Sequence, residues 1–244
     1  MMVGPAISPA AVQSAEQVWT PSQALGVVPG KIIEWIDPAT VTVNGSNQIT
    51  DWDTKGPAGQ ILLSSSGACA LSSTNGVPFV NFPATTTDDV FTNATTLNVV
   101  GLDVWILARM NTGKTGLAGM LGGSARLSDR LYTNLADGDI DAIGPFGNQL
   151  RAVAGSVPVG PWFIGRMTSD NTTASLEIDG TTVDTAVHSD TDFTFEMFGG
   201  CHNSDIEPWD GGIHSMLSVL GTPDAELEAN LTTHFEALRD ALNA

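Results

Sequence analysis

Basic residues are scarce in this sequence. Nine Lys and Arg stand against 27 Asp and Glu among 244 residues, for a formal net charge of −18 and a pI near 4.1. Such a surface repels phosphate backbones and anionic lipid, which argues against nucleic acid as a partner and against membrane insertion. No apolar run approaches the length of a membrane-spanning helix. Cysteine is nearly absent: Cys69 and Cys201 cannot define a disulfide framework. They read as two small buried hydrophobes of a reducing compartment, with a Cys69–Cys201 bridge as the alternative after release from a cell. The four histidines, His188, His202, His214 and His234, show no i, i+4 pair and no Cys partner, which speaks against zinc. The opening stretch MMVGPAISPAAVQSAEQVW lacks a basic start and a continuous apolar run, so it does not read as a secretory signal; synthesis in a cytoplasm is the expectation.

What is present points to strands. Hydrophobic residues make up 42% of the chain, ample for a core, and 26 Gly and 13 Pro punctuate short apolar runs rich in Thr, Ser and Asn. That pattern favours a two-sheet sandwich in one domain over any α/β layout. Val41 and Val43 alternate with Thr, Asn44-Gly45 turns, and Gln48–Trp52 resumes an extended pattern. Further strands are expected at Pro78–Phe82, Leu97–Met110, Gln149–Ala154, Trp162–Met167, Ala174–Ile178, Thr181–Val187 and Phe193–Phe198. Asp179-Gly180, set between two alternating runs, is the strongest hairpin signal. The stretch WILARM at 105–110 returns as WFIGRM at 162–167. On a strand, i and i+4 share a face, so each copy shows a Trp and an Arg to the same side. If both strands lie in one sheet, Trp105 and Trp162 share a face, with Arg109 and Arg166 towards its edge.

Helices bracket the strands. Thr222 can cap and Pro223 suits a first helical position, with Asp224 and Glu226 near the positive end of the dipole, so a helix over 223–243 is expected. Leu227, Leu231, Phe235, Leu238 and Leu242 trace its apolar face. Ser8-Pro9 could open a short N-terminal helix carrying Val12, Ala15 and Trp19. Residues 1–18, without a leucine or an aromatic residue, read as an arm that gains order from contacts outside the chain.

The order of segments then resembles a known family. Trp35-Ile36-Asp37, Ile49–Asp53 and Asn75–Phe82 resemble the opening strands of laminin-G-like domains with the concanavalin A-like jelly roll. Leu176-Glu177-Ile178-Asp179-Gly180 looks like that family's L-x-V-D-G hairpin. Trp209–Ile213 looks like its W-x-G-x-I return strand, and the closing helix is similar to its terminal helix. The resemblance covers residues 19–243 and implies an all-β fold. The expected architecture is a jelly-roll sandwich of two antiparallel sheets over 19–244, with a short N-terminal arm at 1–18 and a C-terminal helix. It also implies a spread of functions, from lectins and glycoside hydrolases to adhesion modules and virion proteins, among which fold alone does not choose.

Catalysis is not expected. The laminarinase-type E-x-D-x-x-E strand of such folds has as its nearest match Glu177-Ile178-Asp179-Gly180-Thr181-Thr182. There the final acid is Thr182 and a turn interrupts the strand. Asp137, Asp139 and Asp141 alternate onto one face, but no motif places a second acid. Those three residues are instead the candidate for a calcium site, the one cofactor under consideration. Sugar binding needs an aromatic platform ringed by polar groups. Trp52, Tyr132 and Trp209 supply candidates, and Trp105, Arg109, Trp162 and Arg166 form a candidate contact surface for a glycan or a neighbouring protein. The resulting expectation is a non-enzymatic virion structural protein: a phage capsid decoration, spike or tail-associated subunit, oligomeric in its assembly. It docks on other virion proteins through residues 1–18 and exposes a jelly roll to polysaccharide. The alternative is an exported, extracellular carbohydrate-binding module or a degenerate hydrolase.

Overall fold

A computed structural model describes residues 18–57, 61–64, 69–83, 91–100, 102–111, 117–122, 130–134, 141–143, 149–151, 157–170, 172–187, 192–199 and 209–244. Among them are 17 strands and one α-helix. The strands are β1 (Ile32–Ile36), β2 (Val41–Val43), β3 (Ile49–Asp53), β4 (Ile61–Ser64), β5 (Ala70–Thr74), β6 (Val77–Pro83), β7 (Phe91–Val100), β8 (Leu102–Met110) and β9 (Leu117–Gly122). They continue with β10 (Arg130–Asn134), β11 (Asp141–Ile143), β12 (Gln149–Arg151), β13 (Trp162–Ser169), β14 (Thr173–Ile178), β15 (Thr181–Val187), β16 (Asp192–Phe198) and β17 (Asp210–Leu220), and the helix α1 is Ala225–Asn243. One sheet runs β15-β14-β13-β8-β17-β6-β5, with β1 also paired to β17; the other runs β12-β11-β10-β9-β16-β7-β4-β3-β2. The pairings between these strands are antiparallel. The chain is thus a two-sheet jelly-roll sandwich closed by a C-terminal helix.

Period-two alternation on β8 builds both sides of the first sheet at once. Val104, Ile106, Ala108 and Met110 point into the space between the sheets, joining Phe163 and Met167 of β13, Leu176 of β14 and Phe82 of β6. Trp105 and Leu107 point the other way, beside Trp162, Ile164, Phe79, Leu217 and Val219. A sheet apolar on both faces needs a cover on each. α1 is the outer cover, burying Leu227, Leu231, Phe235 and Leu242 against that second set. Each such side chain contributes about 1.5–3 kcal/mol when removed from water.

Local chemistry sets the ends of these elements. The helix begins two residues later than the sequence pattern suggests: Asp224, not Thr222, is the cap, its carboxylate accepting from the Leu227 N–H at 2.8 Å. An ionised cap at the positive end of the dipole outcompetes a hydroxyl. At the other end the Asn243 side chain both donates to and accepts from the Trp162 backbone, at 3.0 and 2.9 Å. Asp179 (φ 49°) and Gly180 (φ 75°) form the tight β14–β15 turn, as their sequence signature requires. Asp179 also accepts from the Ile164 N–H and from Arg239 of α1, at 3.0 and 3.1 Å.

The expected strand Leu97–Met110 divides. Its first part belongs to β7 and its second to β8, which lie in different sheets. Periodicity could not show this, because both halves are apolar. The 1–18 arm and its Ser8-Pro9 helix fall outside the described residues apart from Val18, as does Cys201; Cys69 is fully buried.

Candidate functional site

The repeated W-x-x-x-R frame resolves into one reciprocal arrangement. β8 and β13 are neighbours in antiparallel register, with Trp162 opposite Arg109 and Arg166 opposite Trp105. Each tryptophan therefore meets the other copy's arginine. The Arg166 guanidinium lies 4.6 Å from the Trp105 ring, and that of Arg109 lies 5.3 Å from both Trp162 and Phe79. Such stacking is a favourable cation–π contact. Arg109 lies near the end of β8 and Arg166 midway along β13, two central strands, rather than at a sheet edge. Gly212 of β17 makes room for the Trp162 ring, since a Cβ there would stand 2.5 Å from Trp162 Cη2.

These tryptophans face α1, not solvent. Trp105 and Trp162 are 4% and 2% exposed, and Phe235 of the helix sits 5.5 Å from the Trp105 ring. Trp52 and Trp209 are closed off completely. Trp52 is wedged between Phe91 and Phe198, with its indole N–H donating to the Asp37 carbonyl at 2.7 Å. Trp209 is held by the Gly199 carbonyl through its backbone N–H. None of the four thus offers a ring face to a sugar; large aromatic area was drawn inward by burial, the stronger effect. Tyr132 lies on β10 opposite Gly119, and Asp141 on β11 opposite Arg151. Asp137 and Asp139 lie outside the described residues. Among the described residues no three His, Cys, Asp or Glu converge on a metal-sized site.

Arg166 is where polar chemistry gathers. It binds Asp103 in a two-pronged contact, from Nε at 3.0 and 3.2 Å and from an Nη at 2.7 Å. Its other Nη reaches Glu228 of α1 at 2.7 Å and Glu177 of β14 at 3.4 Å. Burial pushes the Asp103 carboxyl up to about 6, although Arg166 works against that rise. Burial on its own would lower the Arg166 guanidinium, but Asp103, Glu228 and Glu177 outweigh it and hold the group above its ordinary value.

A cleft of about 350 Å³ opens beside this cluster, walled by Asp103, Arg166, Thr168, Asp170, Ser175 and Thr222, among others. A second cavity of about 290 Å³ shares Arg166, Glu177 and Glu228 with it and adds Trp105, Thr232 and Glu236. Together they form a polar groove between the β13–β14 hairpin and the first turns of α1. Glycosidase chemistry is not open to the buried acid here: Asp103, with its side chain 2% exposed, has both oxygens engaged by Arg166. Hydrogen bonding to a hydroxylated ligand is what the groove's rim can do. Of the candidate binding residues read from the sequence, Arg166 and Trp105 line this groove, as do Glu177 of the glycosidase-like match and Thr222 and Pro223 at the helix start. Asp103 and Glu228 carried a signal that was passed over, a lone acid in an apolar strand and an acid in the helix's first turn. Their partnership depends on tertiary packing.

No protein-family model matches the chain, and no curated protein matches it. Solved structures do. Domain 4 of AbnA, a GH43 extracellular arabinanase from Geobacillus stearothermophilus solved in complex with arabinotriose, aligns over 87% of this chain and 100% of its own, with 11% identity and a TM-score of 0.53. The binding domain of Paraclostridial Mosquitocidal Protein 1 aligns over 89% of this chain and 53% of its own, with 8% identity and a TM-score of 0.56. Trypanosoma rangeli sialidase gives 95%, 36%, 9% and 0.55 for the same quantities. This chain therefore spans about half and about a third of the last two. At such identities the likeness lies in the fold, a two-sheet β-sandwich jelly roll.

Proposed function

We propose that the protein is a non-catalytic, lectin-like module that holds a saccharide in the groove between α1 and the β13–β14 hairpin. The observation that carries this reading is the groove itself: a polar cleft, edged by Thr168, Thr173, Ser175 and Thr222, on the outer face of the jelly roll. Hydroxyls and carboxylates are the groups that fix sugar hydroxyls, and a site largely formed in advance by two rigid elements orders little on binding. The arabinotriose complex of AbnA domain 4 supports a saccharide as ligand for this kind of fold. A glycan array with the purified protein tests the reading, paired with Ser175→Trp, which fills the cleft from β14. Binding of a glycan that Ser175→Trp abolishes supports the groove. Binding unaffected by the substitution moves the site elsewhere, and no binding to any glycan overturns the function.

For the setting we propose a virion surface, with residues 1–18 docking on other virion proteins. The acidic, Lys-poor surface and an opening segment without a leucine or an aromatic residue support it. A chain lacking residues 1–18 then fails to enter particles, and normal incorporation overturns the docking role.

A further inference from the structure

The groove holds more negative charge than a neutral sugar requires. Arg166, Glu177 and Glu228 form the wall shared by its two cavities, with Asp103 and Asp170 on one side and Glu236 on the other. Among the described residues that line the two cavities the guanidinium is that of Arg166, engaged by Asp103, Glu228 and Glu177. Glu236, exposed on α1, forms no ion pair among the described residues. The acidic side chains of the helix's first turn, Glu226 and Glu228, and the Asp224 cap offset the positive end of its dipole, so the helix adds no attraction for an anion.

A second observation is independent of charge. The Trp105 side chain lines the second cavity, and its buried indole N–H has no hydrogen-bond partner among the described residues. Leaving such a donor unmet is costly, and a ligand hydroxyl in that cavity can accept from it. A bare metal ion does not suit the same place, because Arg166 occupies the space between Asp103, Glu177 and Glu228 and no metal-sized cluster forms among the described residues. The match is an extended, hydroxylated ligand that carries positive charge at intervals.

We propose that the groove selects a cationic saccharide, an oligomer of amino sugars with free ammonium groups. It spans both cavities with its ammonium groups against Glu236 and Glu228 and a hydroxyl towards the Trp105 indole. This rests on the saccharide reading of the groove given above. The same charges that hold ammonium groups repel carboxylated sugars, so acidic glycans are excluded.

Calorimetric titration of the full chain at pH 7 tests this with three oligomers of equal length: glucosamine, N-acetylglucosamine and galacturonate. The glucosamine oligomer is expected to bind at least tenfold more tightly than its N-acetylated counterpart, and the galacturonate oligomer not at all. Glu236→Gln, at an exposed position that folding does not need, is expected to weaken glucosamine binding about three- to tenfold and N-acetylglucosamine binding by clearly less. Asp240→Asn, on an exposed acid outside the groove, is expected to change neither. Equal affinity for the charged and acetylated oligomers overturns the charge selection while leaving a saccharide site standing. Glucosamine binding that Glu236→Gln and Asp240→Asn weaken equally overturns it too, as general attraction to an acidic surface. If no oligomer binds, both the selection and the saccharide reading fall.

Discussion

Replacing Arg166 by Met keeps the methylene stem against Trp105 and removes the charge that Asp103 depends on. The Asp103 side chain is 2% exposed and that of Arg166 11%, so water cannot substitute for the lost contact. Deleting one member of a buried ion pair costs about 3–5 kcal/mol, whereas an exposed pair contributes about 0–1 kcal/mol. For a chain of this size each kcal/mol lowers Tm by about 2–4 °C, so Arg166→Met is expected to melt about 6–20 °C lower. Glu228, with its side chain 44% exposed, gives a contrast: Glu228→Gln should cost under about 1 kcal/mol. Adding Asp103→Asn to Arg166→Met should recover part of the loss, because an amide replaces the stranded charge. The pH dependence gives a second handle. Asp103 titrates near 6 in the folded chain against 3.8 in the unfolded one, so the folded state holds the proton more tightly. Its contribution is favourable below the unfolded value and is lost as pH rises through about 6, a change on the order of 3 kcal/mol. Arg166→Met removes the attraction that restrains this rise, and the loss should move to higher pH. Urea denaturation from pH 4 to 8, with calorimetry at pH 7, measures both effects. A cost under about 1 kcal/mol at pH 7, with no recovery in the double variant, would refute the buried-hub reasoning.

Other outcomes follow from the same geometry. Burial holds the His214 imidazole down to about 4, so its contribution is present above pH 6.5 and is lost as pH falls towards 4; His214→Asn should flatten the acid side of the stability curve, which urea melts at pH 4.5 and 7 would reveal. Gly212→Ala drives a Cβ to within 2.5 Å of Trp162 Cη2 and should cost about 1–3 kcal/mol with altered near-ultraviolet circular dichroism; an unchanged spectrum and Tm would mean the ring moves freely. Asp224→Ala removes the helix cap and should cost about 0.5–2 kcal/mol by thermal melting, with Thr222→Ala near neutral. Phe235→Ala leaves a cavity over the Trp105 ring and should cost about 3–5 kcal/mol with a red-shift in tryptophan emission.

Much of the architecture could be read from local chemistry. Asp179-Gly180 demanded a tight turn, and the row from Leu227 to Leu242 required something apolar to lie against. The shared face of Trp105 and Arg109, and of Trp162 and Arg166, also followed from strand geometry alone. What they face did not, because a tryptophan on a strand looks the same whether a helix or a ligand covers it. Trp52 and Trp209 illustrate the point: both were candidate platforms for a sugar, yet both rings are interior. Asp103 and Glu228 are far apart in the chain and meet only because α1 folds back across β8 and β13, so no spacing could have announced them. The division of Leu97–Met110 between two sheets depended on pairing partners rather than on composition.

The helical cover follows every strand in chain order. While the polypeptide emerges from the ribosome, the layer containing Trp105, Leu107, Trp162, Ile164 and Leu217 is complete before residues 225–243 exist to shield it. A broad greasy surface is thus on display for seconds at ordinary elongation rates, long enough to recruit a chaperone or to stick to a neighbouring nascent chain. Truncations that stop before Ala225 should therefore be recovered as insoluble material rather than as a smaller folded sandwich.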